Sequence, residues 1–558
     1  MKTTIKKPII EKKKELKKEK IWFEHQNMLL FLLVAITLLV YIKVVTLGFT
    51  RFDDSIFIIE NQQYNKDLSN IFHSFGRGLF NPENDIYYRP VFLVDFILES
   101  RLFDQNPAGY HFTNLIFHVV CVVLLFFFFK AIGLRKVDSF FLSLIFALHP
   151  VLCQAVAWIP GRNDMILMIF FLAGVLISLK YVEHMTWYLL LFQGIALLLA
   201  LFTKETSVII PVITLSFIIF LKKASWRIWL PLLASWILAV AIWWLVRAHA
   251  TLMNQNFTVW ELVQNGFGRL PAFIQYLGKI FFPFNLSVYP GIGHITIWWG
   301  LLALGLLIFM VIISKSYFKP LTIIGVIWFV LFLLPVLVVP ASLNDQVFEH
   351  RLYIPIVGIL LILSQTKLFE PKLFPYFKPL LACFILLLYS SITLVRIGYF
   401  KDPLTFWDHA VRDNPSSSYA NMMLGLRQTD STEMKRCFMN AYSLNPDEKM
   451  LNYFIGRIEL DAGNIQDAEF HLKRELKFSN IPDNYFNLAK VYFVRNKPDS
   501  AAWCLERVIE TDPLHPQANY NLSLLYLQLN RKADAFKLIE TMKINGLEIP
   551  VEFREIVK

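Results

Sequence analysis

Cysteine is scarce in this chain, with five residues among 558. An odd number without metal-ligand spacing excludes a disulfide framework and a zinc module. Cys121, Cys153 and Cys383 lie in apolar segments, where a small hydrophobe is the expected role. Charge is also sparse, at 17% of residues against 56% hydrophobic, and it avoids the long apolar runs. Repeated runs of about 20 apolar residues exclude an ordinary soluble domain, so the chain reads as a polytopic membrane protein. No Asp-x-Asp triplet is present, and no metal ligands are assigned, although paired acids can hold Mg²⁺ or Mn²⁺. The net charge of +11 does not point to nucleic acid, because much of it lies in MKTTIKKPIIEKKKELKKEK at the start. That stretch reads as a topology signal holding its end in the cytoplasm, in preference to a patch for acidic lipid. It is too long, and the apolar run behind it too extended, for a cleavable signal peptide. No endoplasmic-reticulum retrieval signal is found in EFREIVK.

Apolar runs, oriented by basic loops, predict about eleven crossings in an all-α bundle over residues 28–398, behind a basic cytoplasmic segment 1–27. The first crossing, 28–47, is followed by a long outer segment, about 48–111. Crossings at 112–132, 140–158, 165–181, 187–202, 207–221 and 228–246 alternate from there, and 295–313, 321–339, 352–363 and 380–396 complete the set. RLPAFIQYLGKIFFPF is read as re-entrant or interfacial, since a crossing there would put Lys315, Lys319, Lys372 and Lys378 outside. An odd count places the C-terminal region, 401–558, opposite the basic N-terminus.

That region changes to a soluble helical composition and repeats itself. Gly456, Ala489 and Ser523 stand 33 and 34 residues apart, as do Ala468, Ala501 and Ala535; Pro482 and Pro516 are 34 apart. Small residues at this period let paired helices approach, which is the tetratricopeptide pattern. About four repeats are expected, with SYANMMLGL as a shorter first copy, in an α-solenoid whose concave face suits a partner or acceptor.

Ionisable residues gather at the outer ends of the expected crossings: Asp53 and Asp54 in FDDS, Arg89 in YYRPVF, His111 in GYHFTN, His149 in ALHP, Arg162 and Asp164 in GRND, Lys204 and Glu205 in TKET, and His350, Arg351 and Tyr353 in EHRLYIP. A transporter would place such groups near the midplane; here they sit at the depth of a lipid phosphate. Arginine recognises phosphate through a planar fork and lysine through a compact charge. A carboxylate within reach of a hydroxyl serves as general base. Each position also has a plainer role: snorkelling for Arg89, Lys204 and Arg351, a turn or cap for Asp164, structural hydrogen bonding for His111 and His149. After Pro90, VFLVDFILESRLF places Asp95 and Glu99 one turn apart on a helix expected to lie on the outer leaflet.

The ordered blocks FDDSIFIIEN, YYRPVF, NPAGYHFTNLIFHVV, LHPVLCQAVAWIPGRNDMI, FTKETSVIIP and HRLYIP resemble those of the GT-C polyprenyl-phosphate-sugar glycosyltransferases. The likeness is greatest to the transmembrane and tetratricopeptide-repeat O-mannosyltransferases, with protein O-mannosyltransferases and lipid A aminoarabinose transferases as more distant kin. The resemblance implies a metal-independent, inverting transfer from a polyprenyl-phosphate sugar to a hydroxyl on protein or glycan. It implies Asp54 or Asp53 as base, with Asp54 favoured. Arg89, Lys204 and Arg351 would be donor-phosphate contacts, and Asp164, Arg162, Glu205, His111 and Tyr353 substrate contacts. Two other readings are a polymerase or ligase using a lipid-diphosphate oligosaccharide, and a non-enzymatic scaffold assembled by the repeats. Lys/Ile/Phe/Asn-rich usage points to a bacterial inner membrane with the repeats in the periplasm.

Overall fold

A computed structural model describes residues 25–80, 85–251, 259–291, 296–338, 346–370, 377–547 and 549. Residues 1–24 of the basic N-terminal segment and Lys372 lie outside the described residues. Among those residues the chain is helical, with one isolated bridge between Gly291 and Gln346. It divides into two compact units, residues 1–413 and 414–558.

In the first unit, five helices among the described residues are long and apolar enough to cross a membrane: Gln26–Thr46, Pro107–Ala131, Ile159–His184, Trp226–Ala250 and Leu380–Phe400. A sixth crossing arises if Lys136–Leu148 and Pro150–Ala157 count as one bent span. Trp187–Thr203, Glu205–Leu221, Trp298–Ile313 and Pro320–Pro335 are apolar but shorter. The expected eleven crossings therefore do not all appear as full-length apolar helices among the described residues. The expected crossing 352–363 is a nine-residue helix, Ile356–Ser364, buried along most of its length. Residues 269–281 of the segment read as re-entrant or interfacial lie in one continuous helix, Val259–Phe281.

The bend has a local cause. Pro150 offers no N–H and its ring clashes with an uninterrupted helix, and the two pieces meet at 52°. His149 takes an extended backbone conformation at the break, its Nδ1 accepting from Val151 N at 3.2 Å and its Nε2 donating to Ile280 O at 2.8 Å. Beyond the bend, Trp158 stacks on Phe52 at 5.6 Å, and Arg162 and Asn163 reach Asp95, Glu99 and Arg89. Elsewhere, Gly325 and Gly358 bring Pro320–Val338 and Ile356–Ser364 into backbone contact. A Cβ on either would lie 2.5 Å from the other's carbonyl oxygen. Close approach through small residues is the usual way apolar helices pack in lipid.

The second unit stacks helix pairs: Ser418–Gly425 with Ser431–Leu444, Leu451–Asp461 with Ile465–Glu475, Pro482–Val494 with Pro498–Thr511, and Pro516–Gln528 with Lys532–Ile544. Ala468, Ala501 and Ala535 are buried at equivalent places, and a Cβ on Gly456 would lie 2.7 Å from Leu472. A further repeat emerges in hydrogen bonding: Asn421, Asn452 and Asn519 each donate to the carbonyl of a proline six residues earlier, Pro415, Pro446 and Pro513. The short first copy thus keeps the same turn as the longer ones.

Candidate active site

The outer segment begins as a tight loop. Gly48 N donates to Lys401 O at 2.8 Å, and His111 Nε2 bonds Gly48 O at 3.2 Å. Arg51 sits at φ 55°, a left-handed conformation uncommon outside glycine. Asp54 closes the turn from inside. Its Oδ2 accepts from Thr50 N at 2.5 Å, and its Oδ1 from Phe52 N at 2.8 Å and Thr50 Oγ1 at 3.2 Å. Only 1% of Asp54 is exposed. The Phe52 ring, packed among Trp158, Tyr289, Phe348 and Trp407 at 5.5–6.2 Å between centroids, pins the other face.

These anchors leave Asp53 half-buried, with no hydrogen bond to its carboxylate from any other described residue. Burial pushes its pKa up to about 7; the Asp54 charge adds to the rise and Arg89 opposes it. Asp54, the favoured base on sequence grounds, is enclosed by the donors of its own turn, whereas the Asp53 carboxylate is not.

Arg89 ends the loop before Pro90–Phe103. Its Nε donates to Glu205 Oε2 at 3.1 Å, and its Nη1 to the Asn163 amide oxygen at 2.7 Å. Glu205 Oε1 accepts from Tyr88 N at 2.8 Å, so Glu205, expected against substrate, has both oxygens engaged in setting Arg89. Lys204 Nζ donates to Asp164 Oδ1 at 2.6 Å. Arg351 Nη1 donates to Gln346 O at 2.8 Å, with its guanidinium over the Phe348 ring. Arg89, Lys204 and Arg351 all act electrostatically on His350. Burial foremost, then these three charges, hold the His350 imidazole well below its ordinary pKa. Asp53 thus faces the Arg89 charge, Asp164 pairs with Lys204, and Arg89, Lys204 and Arg351 converge electrostatically on His350, although these residues span nearly 300 positions in sequence.

Three expected substrate contacts are drawn inward instead. Arg162 is fully buried. Its Nε donates to Asn114 Oδ1 at 2.7 Å, its Nη1 to Asp95 Oδ2 at 2.7 Å and to Glu99 Oε2, and its Nη2 to Tyr110 O at 2.7 Å. This also corrects the leaflet-facing reading of Asp95 and Glu99, whose stripe turns towards Arg162 because an unpaired buried guanidinium would be far costlier. Tyr353, likewise fully buried, bonds His118 Nδ1 at 2.8 Å, while His118 Nε2 donates to Ala147 O at 3.0 Å. His111 holds the loop at Gly48, as above.

Two supports escaped the sequence reading. Gln154 Oε1 accepts from Glu349 N at 2.9 Å and His350 N at 3.0 Å, while Gln154 Nε2 donates to Val288 O at 2.9 Å. Glu349 is fully buried between Lys279 and Arg396, each at 2.8 Å. An acid directly before HRLYIP was a visible signal, but its two cations lie in distant helices.

The tetratricopeptide-repeat family model matches residues 486–545. Protein O-mannosyl-transferase F38B6.6 of Caenorhabditis elegans is 27% identical over 452 residues, 75% of this chain and 63% of that protein. Protein O-mannosyl-transferase TMTC3 of Homo sapiens is 32% identical over 151 residues, 26% of this chain and 16% of that protein. This chain thus spans less than two thirds of either relative. The Archaeoglobus fulgidus oligosaccharyltransferase has a TM-score of 0.39 and 13% identity, with 75% of this chain and 59% of that one covered. The curated relatives agree with the resemblance carried by the outer motifs.

Proposed function

We propose that this multi-pass membrane protein is a glycosyltransferase that moves a monosaccharide from a polyprenyl-phosphate donor to a hydroxyl of a protein acceptor, with Asp53 as general base. The observation that supports it best is the half-buried Asp53 carboxylate, without a hydrogen bond from the described residues, beside Arg89 and the cluster containing Lys204 and Arg351. The O-mannosyl-transferase names of the relatives supply the reaction class.

In the proposed step the acceptor hydroxyl gives its proton to Asp53 while its oxygen bonds the anomeric carbon. The bond from that carbon to the phosphate oxygen breaks, and the oxygen leaves with the electron pair. Arg89 and Arg351 meet the developing phosphate charge through guanidinium forks, and Lys204 adds a point charge. One displacement inverts the anomeric configuration and needs no second carboxylate as nucleophile. No step is assigned to a metal. The basic N-terminus and the odd number of crossings expected from the sequence put this chemistry, and the repeats that would engage acceptor, on the side away from the cytoplasm. The residue usage adds a bacterial inner membrane to the proposal.

The test is transfer in reconstituted membranes from a panel of polyprenyl-phosphate sugars to envelope proteins. Asp53→Asn should lower transfer by about 10²–10⁴-fold, the usual contribution of a general base, at unchanged expression. Wild-type transfer untouched by Asp53→Asn would remove Asp53 from the reaction. Transfer only from a diphosphate oligosaccharide would replace the monosaccharide donor.

A further inference from the structure

The loop bearing Asp53 is held by a segment from the far end of the same unit. At its start, Gly48 N donates to Lys401 O at 2.8 Å, and a Cβ on Gly48 would lie 3.2 Å from that oxygen. Near its end, the Phe52 ring lies 5.5 Å from Trp407 and 6.4 Å from Phe406 between centroids. Both tethers come from residues directly after the apolar helix Leu380–Phe400. Between the tethered positions stands Arg51 at φ 55°, a conformation that a residue other than glycine keeps only where its surroundings enforce it.

The tethering helix, Pro403–Asp413, is built by local rules. Proline suits its first position, and Asp402 Oδ1 accepts from Thr405 N at 2.8 Å as a cap. Phe406, Trp407 and Ala410 share one side of the helix and are each at most 1% exposed. Asp408 and Arg412, paired at 2.9 Å, occupy the opposite side. The apolar side is fixed from beyond the loop as well, by Tyr289 against Trp407 and Phe400 against Phe406, each 5.6 Å between centroids. The helix lies within the unit 1–413 and precedes the stacked pairs of the second unit.

We propose that Pro403–Asp413 is the positioning helix of the catalytic loop, with Trp407 and Phe406 acting through Phe52 to aim the adjacent Asp53 carboxylate; this rests on the glycosyltransfer reading above, in which Asp53 is the base. The hydrogen bonds that Asp54 accepts from Thr50 and Phe52 close the turn from within. They do not fix where the closed turn points, which the two outside tethers do. A base must stand within hydrogen-bond reach of the proton it takes, and a displacement of about 1 Å can cost about 10²-fold in rate. Asp54 and Arg89 are the charges that act on Asp53. Neither belongs to the helix, so removing the Trp407 ring alters position without altering charge.

The test follows transfer against pH in the full chain, from the wild type's preferred polyprenyl-phosphate sugar, in Trp407→Ala, Trp407→Phe, Phe52→Ala and the double variant Phe52→Ala/Trp407→Ala. Trp407→Ala should lower kcat about 10–100-fold with donor KM within about 2-fold of wild type. It should also move the acid limb below its midpoint near 7, because burial is the largest cause of that value and a released loop exposes the carboxylate. Trp407→Phe should restore most of both, and the double variant should lose no more than Phe52→Ala alone. A merely structural role would lower the melting temperature and the folded fraction, leave the limb in place and multiply the two losses; that result overturns the positioning role. A second readout needs no transfer. Asp53→Cys is placed in a Cys383→Ser background, since Cys383 is exposed and the other cysteines are buried. Its alkylation by a maleimide should quicken when Trp407→Ala is added, and an equal rate overturns the positioning role. Transfer untouched by Asp53→Asn would instead overturn the base reading, and the positioning role with it.

Discussion

Asp53 and Asp54 are one peptide bond apart and carry different burdens. Asp54 accepts three hydrogen bonds from the turn it closes. Asp54→Ala would strand those donors and should lower stability by about 2–4 kcal/mol, read as a reduced melting temperature in detergent together with loss of transfer. Asp53 behaves oppositely. Its pKa is raised in the fold to about 7, so its protonated form is favoured there relative to the unfolded chain. The stability tied to this group is complete below the unfolded carboxylate value, and is lost as pH rises through about 7. Asp53→Asn should accordingly fold at least as well as the wild type at pH 8 while losing transfer, which separates chemistry from folding in one variant. The same titration sets an acid limb: transfer rises with pH with a midpoint near 7. Because Arg89 opposes the rise in this pKa, Arg89→Gln should move the limb to higher pH. A limb unmoved in Arg89→Gln would disconnect Asp53 from the rate. Sequence spacing separates adjacent aspartates in direction, but their inward and outward assignment depends on Phe52, whose ring is seated among residues 158, 289, 348 and 407.

At the scale of elements, the apolar helices and the repeat period were legible because each follows from a local pattern. Their breaks were legible only in part. Pro150 signals a bend, yet nothing nearby in sequence says that His149 will bond Ile280 O, 131 positions away. Likewise GRND announced a charged helix start, but not that Arg162 would turn inward to Asp95 and Glu99 while Asp164, two residues on, would turn to Lys204. Those choices are made by tertiary pairing of buried charge, which has no sequence period. The Gly325–Gly358 contact is another such pairing. Its substitution by alanine puts a Cβ 2.5 Å from backbone oxygen, where no rotamer change gives relief. Gly358→Ala should cost about 1–3 kcal/mol, measured by thermal unfolding in detergent, and Gly325→Ala a similar amount. Gly305, where an added methyl would meet nothing within 4 Å, should tolerate alanine.

At the scale of the whole molecule, the unit 414–558 has its own apolar core, running from Tyr453 through Ala468, Ala501 and Leu522 to Ala535. Expressed alone it should fold as a helical domain with a cooperative melt by circular dichroism. Ala501→Leu, at a position 1% exposed, should lower that melt through overpacking. A non-cooperative melt of the isolated unit would mean that it depends on the preceding 413 residues.

The outer loop, the two charged helix starts and the EHRLYIP segment contribute Asp53, Arg89, Asp164, Lys204 and His350 to one linked set of charged and polar groups. A ribosome making this chain releases Asp53 early and His350 only after roughly three hundred further residues. Under the proposed function, the growing chain would lack a complete set of phosphate-binding cations throughout that interval. Products truncated before residue 350 would then be inactive in transfer, because they lack Arg351.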